Sequence, residues 1–204
     1  SMIIGTAGFT AAECVQKLEH SGMTPASGPV LVTGATGGVG SVAVKLLAQL
    51  GYEVAAVTGK EDQHDFLRSL GASEILSREE ANVGSDKPML AERWGGVVDT
   101  VGGDILFNGV KSLRYGCSLA ACGLVAAPVF SASVLPFILR HVNLLGIDSV
   151  QLPIGEKAEI WHRLGEEWLM DLSDLEEVLT LDDLSGAIDR ILSGQMVGRG
   201  VVHL

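Results

Sequence analysis

The chain has 204 residues, 47% of them hydrophobic, with six prolines and no low-complexity tract, enough to bury one core as a single domain. Its formal charge of −11, with 14 basic residues scattered along the chain, argues against a general nucleic-acid partner. Interrupted apolar runs exclude a membrane-spanning helix, and the absence of a signal-peptide pattern together with three cysteines in apolar settings, none in a C-x-x-C, points to a cytoplasmic protein with buried thiols.

The first periodic segment carries Ala11, Cys14, Val15 and Leu18 at helical spacing, so a helix is expected over 10–20, with Thr10 as a candidate cap and Ser21-Gly22 as its end. Strand one is 30–33 and its helix 38–50. Residues 53–58 make strand two, followed by a helix through Phe66, Leu67 and Leu70 to Gly71, and 74–76 make a short strand three. Residues 78–92 are polar and read as irregular. Strand four runs from Gly96 to Gly102, a helix over about 104–113 leads to strand five at Cys117–Gly123, and strand six is 143–147. Such strands, alternating with helices, predict an α/β fold: a doubly wound parallel sheet of Rossmann type, covered on both faces. Beyond it lie a helix at about 156–170, a short strand near 177–179, a helix with Leu184, Ala187, Ile188, Ile191 and Leu192 on one face, and a last strand at 201–204. Trp94, Trp161 and Trp168 read as packing residues, the latter two on one side of the 156–170 helix. A strand on the final residue and an apolar, glycine-rich start without sheet partners suggest a domain cut from a longer chain.

The densest signal lies where strand one meets its helix, in Val32-Thr33-Gly34-Ala35-Thr36-Gly37-Gly38-Val39-Gly40. Glycines there allow a tight turn and bring main-chain amides at a helix N-terminus close to an anion, which is how a dinucleotide pyrophosphate is held. The spacing is G-x-x-G-G-x-G and not the strict G-x-G-x-x-G, yet Thr36, Gly37, Gly38 and Val39 remain cofactor candidates, with Gly40 expected to help approach the pyrophosphate. Strand two ends in Thr58-Gly59-Lys60, where an NAD-binding fold usually puts an acid for the ribose hydroxyls. A hydroxyl, a glycine and a lysine suit a 2′-phosphate instead, so NADP is the expected cofactor. The bland reading of Lys60 is a solvated turn residue, and Glu61 and Asp62 fit the next helix N-terminus. Arg78 is a second phosphate candidate or merely exposed. Gly102, with Gly103, follows strand four at the sheet's carboxyl edge, where ligands sit in such folds. The five histidines are far apart and show no local zinc pattern, and no metal is expected.

Taken with Gly5-Thr6-Ala7-Gly8-Phe9-Thr10-Ala11, Ser69-Leu70-Gly71-Ala72, Asp99-Thr100-Val101-Gly102, Ala121-Cys122-Gly123-Leu124, Pro136-Phe137-Ile138-Leu139-Arg140 and Gly146-Ile147-Asp148-Ser149-Val150, that turn resembles the cofactor-binding domain of the medium-chain dehydrogenase/reductase superfamily. The resemblance covers essentially the whole chain and is nearest to the zinc-free, quinone-oxidoreductase-like branch, in particular bacterial NADPH-dependent acrylyl-CoA reductases. It implies zinc-independent reduction of the carbon–carbon double bond of an α,β-unsaturated acyl-CoA or similar enone, with a separate N-terminal barrel-like domain supplying much of the substrate site. Quinone or zinc-dependent alcohol dehydrogenase chemistry, and a non-catalytic NADP-binding module, are the alternatives. The resemblance also places Cys122, Gly123 and Leu124 beside the nicotinamide, Asp148 and Ser149 beside nicotinamide and acyl group, and Arg199 in contact with the cofactor. For these the bland readings are an inert thiol, a turn or cap, and a surface arginine. No catalytic acid or base is identified. Strand six and the terminal strand resemble sheet-edge elements of a homodimer.

Overall fold

The structure is a computed structural model describing residues 2–203. Six parallel strands, β1 (Val30–Val32), β2 (Val54–Val57), β3 (Glu74–Leu76), β4 (Gly96–Asp99), β5 (Ser118–Ala121) and β6 (Asn143–Gly146), form one sheet in the order β3-β2-β1-β4-β5-β6. Its direction of growth reverses between β1 and β4, whose register pairs Val30 with Gly96 and Val32 with Val98. That reversal opens a crevice outside the carboxyl ends of these two strands, the usual ligand position of a doubly wound sheet.

Side chains alternate across each strand, so neighbouring residues feed opposite cores. Val30 and Val32 enter the cluster with Phe9, Leu18, Leu46 and Trp168, whereas Leu31 enters the one with Val97, Phe107 and Leu119. The first face is covered by α1 (Gly5–His20), α2 (Gly38–Gln49), α3 (His64–Ser69) and α7 (Ile154–Gly165), the second by α4 (Arg78–Asn82), α5 (Gly103–Lys111) and α6 (Leu135–Arg140). Coverage fails at β6. Asn143, Leu144 and Gly146 are exposed, so this edge strand is not sandwiched as the sequence suggested.

Several elements differ from the sequence reading. Helix α1 begins at Gly5, which places most of the glycine-rich start in a helix packed on α2, and Thr10 lies in its interior with its hydroxyl on the Thr6 carbonyl at 2.8 Å. The polar stretch after β3 contains α4, started by a reciprocal Ser77–Glu80 capping box. Helix α7 ends at Gly165, so Trp168 lies beyond it, wholly buried under the Arg163 guanidinium, while Trp161 packs against Phe9 with the rings tilted. The last strands, β7 (Glu176–Leu179) and β8 (Arg199–Val202), flank α8 (Leu184–Leu192) and pair only with each other, so the terminal strand is not an edge of the main sheet. Of the three free thiols only Cys14 is buried; Cys117 and Cys122 are half-buried.

Candidate functional site

The exits of β1 and β4 are tied by a buried polar network. Thr33 Oγ1 donates to Asp99 Oδ1 at 2.6 Å and accepts from the Thr100 amide at 3.0 Å; Asp99 Oδ2 accepts from the Gly102 amide at 2.8 Å. Burial pushes the Asp99 carboxyl up from its ordinary value, against the hydrogen bonds from Thr33 and Gly102. These bonds hold both turns open at the switch point.

The glycines of the first turn have separate jobs. Gly34 is left-handed, with φ 59°, and Gly37 is the N-cap of α2. A Cβ on Gly40 would run into the Gly34 carbonyl and stand 2.8 Å from Ala35 Cα, so Gly40 lets the helix pack closely on the turn. At Gly38 a Cβ would lie 2.9 Å from an Arg199 guanidinium nitrogen. Arg199 reaches there from β8, its Nε donating to the Ile3 carbonyl at 2.9 Å, and the Gly198 amide donates to the Thr36 carbonyl at 3.0 Å. Burial lowers the Arg199 pKa. A half-buried cation at the positive end of α2 is unfavourable unless an anion joins them.

A cleft of about 530 Å³ opens beside this pair. It brings together Val39, Cys122, Asp148, Ser149 and Arg199 from four separate segments, with Thr6 and Thr10 contributed by α1. The Thr10 hydroxyl lies 2.9 Å from Ser149 Oγ. Asp148 accepts from the Val150 and Gln151 amides, a turn cap that leaves its carboxylate structural in this arrangement. The Cys122 thiol donates to the Asp99 carbonyl at 3.4 Å, and no base partner marks it as a nucleophile. Gly123 packs directly on the Thr100 main chain, Gly102 is left-handed at 75°, and Leu124 is exposed.

The second group lies at the end of β2. The buried Thr58 hydroxyl accepts from the Lys60 amide at 3.0 Å and keeps its own hydrogen for another acceptor. Gly59 lies under Arg78, whose Nε would be 2.6 Å from a Cβ there. Lys60 Nζ donates to the Met196 carbonyl at 2.7 Å and is half-buried, unlike a freely solvated lysine. Burial lowers its pKa, Asp62 opposing and Arg78 adding to the effect. Glu61 and Asp62 occupy a 3-10 turn ahead of α3. Two cations with a free hydroxyl are suited to a phosphate, which would compete with Asp62 for Lys60. Sequence reasoning missed Thr6, Thr10 and Ile147 as cleft residues; Thr6 and Thr10 sit one helical turn apart, a spacing visible only once α1 is known to start at Gly5.

The family model described as zinc-binding dehydrogenase matches residues 38–166. The chain belongs to the zinc-binding dehydrogenase family. It is 50% identical over 205 residues to the acrylyl-CoA reductase AcuI of Ruegeria pomeroyi, an alignment that covers 100% of this chain and 62% of that protein. Among solved structures it is similar to the yhdH oxidoreductase from Salmonella enterica in complex with NADP, at TM-score 0.93 and 45% identity over 100% of this chain and 62% of that one. It is also similar to Bacillus subtilis protein yhfP with NAD bound, at TM-score 0.96 and 44% identity with the same coverage. The chain thus spans 62% of the length of these relatives. Although the family's description names zinc, among the described residues no three His, Cys, Asp or Glu side chains converge to hold a metal ion.

Proposed function

We propose that this chain is the NADP(H)-binding part of an oxidoreductase that reduces the carbon–carbon double bond of acrylyl-CoA or a similar α,β-unsaturated acyl-CoA. The observation that carries the reading is the Arg199 guanidinium beside Gly38, at the N-terminus of α2 and on the switch-point cleft, where cation and helix end both call for an anion. In this reading Thr36, Gly37, Gly38, Val39 and Arg199 hold the pyrophosphate. Thr58, Gly59, Lys60 and Arg78 hold the 2′-phosphate. Gly102, Cys122, Gly123, Leu124, Asp148 and Ser149 flank the ribose and nicotinamide. The bound nicotinamide supplies the hydride; the chain's residues orient it and shape the space beside it.

The choice of NADP over NAD rests on the absence of a carboxylate at Thr58-Gly59-Lys60 and on the paired charges of Lys60 and Arg78, in keeping with the NADP-bound yhdH relative. The acyl-CoA substrate rests on the likeness to the Ruegeria reductase. Oxidation of NADPH, followed by its absorbance with acrylyl-CoA, a simple quinone and an aldehyde in turn, tests the reading in a chain of the relatives' full length. Turnover of acrylyl-CoA above the others is expected; activity on quinone or aldehyde alone would remove the substrate assignment. We also propose a homodimer through the exposed β6 edge. Light scattering that finds only a monomer at micromolar concentration would contradict it.

A further inference from the structure

Next to the cofactor cleft lies a second cavity of about 430 Å³, lined by Met2, Thr6, Phe9, Ser149, Lys157 and Trp161. The two spaces share Thr6 and Ser149, so they are contiguous. The second is built differently. Phe9 and Trp161 meet at 5.6 Å between ring centroids with their planes tilted by 34°, and Trp161 is 40% exposed, whereas Trp94 and Trp168 are 4% and 1% exposed. Lys157 Nζ donates to the Val150 carbonyl at 2.9 Å, which occupies one of its three hydrogens and sets the ammonium on the rim.

We infer that this cavity takes the pantetheine arm of an acyl-CoA thioester, an inference that rests on the function proposed above. The arm is a slender chain of methylenes, a dimethyl group and two amides. Aromatic faces accept its apolar parts, and the hydroxyls of Thr6 and Ser149 can bond its amides. The remaining hydrogens of Lys157 face the diphosphate end as it leaves the cavity. A chain of formal charge −11 gains little from the phosphates elsewhere on its surface, so recognition concentrates on the uncharged arm. Contiguity through Thr6 and Ser149 leads the thioester toward the cofactor cleft.

Calorimetric titration of the NADPH-loaded chain with propionyl-CoA and with pantetheine tests this directly. The unaltered chain should bind both, and Trp161→Ala should weaken both by roughly tenfold, the scale of one aromatic contact, with Trp161→Phe recovering most of the loss. Affinity for NADPH should stay the same. Lys157→Ala, which leaves the Phe9–Trp161 ring pair in place, should weaken propionyl-CoA more than pantetheine. Should the unaltered chain bind neither ligand, or the Trp161→Ala and Lys157→Ala chains bind them as the unaltered chain does, the inference is overturned. The reading beneath it fails separately, through absence of NADPH oxidation with acrylyl-CoA.

Discussion

Thr33 Oγ1 donates to Asp99 Oδ1 across 2.6 Å, joining the residue just after β1 to the last residue of β4 where the strand order reverses. The contact is buried, and Asp99 also fixes the Gly102 amide, so one hydroxyl holds both turns that border the cleft. Thr33→Val keeps the shape and deletes the donor. It should lower stability by about 1–3 kcal/mol, the cost of a buried polar group left short of a partner, measured by urea unfolding with an unchanged m-value.

Gly40→Ala should also destabilise, by about 1–3 kcal/mol, because the added methyl meets the Gly34 carbonyl and the Ala35 main chain, neither of which can swing aside. Gly165→Ala, in the last turn of α7 where an added Cβ would point into open space, is the control and should be neutral or mildly stabilising. Equal melting temperatures for the two variants would show that the turn is not packed as described.

How far these features can be read from sequence depends on how local they are. The glycine turn and the six strands each declare themselves within a few residues, and β1, β2 and β4 fall where the apolar runs put them. The start of α1 does not, since Gly5 and Gly8 weaken its propensity and packing on α2 forms it, Gly8 lying within reach of Val42. The Ser77–Glu80 box that starts α4 was legible as a motif but hidden in a polar stretch. Pairing of β7 with β8 joins segments about twenty residues apart and leaves no local trace beyond their apolar residues. The same holds for the site: Arg199 and Gly38 are each visible in sequence, but their meeting at the end of α2 is a property of the fold.

Glu13 supplies a pH test. It lies in α1 with 4% exposure, its Oε2 has no hydrogen-bond partner, and burial raises its pKa above 4.5 despite Lys17 and the Asp148 amide, with Asp148 and Glu156 adding repulsion. The native state therefore binds a proton that the unfolded chain has released. Glu13's contribution is fully present below pH 4.5 and is lost as pH rises through the raised native value. Glu13→Gln removes the charged form, so the variant should melt higher than the unaltered chain at neutral pH, with the gap closing as the pH falls toward 4.5. A gap that is constant with pH would show that Glu13 is ionised without penalty.

The most direct test of the cofactor assignment is titration of the chain with NADPH and with NADH, before and after Lys60→Ala. Lys60 and Arg78 with the Thr58 hydroxyl form the corner read as the 2′-phosphate site, and Lys60 retains two hydrogens beyond its bond to the Met196 carbonyl. NADPH should bind more tightly than NADH, and Lys60→Ala should narrow the difference by about 1–3 kcal/mol while leaving NADH affinity nearly unchanged. Equal affinity of the unaltered chain for the two nucleotides would contradict the assignment.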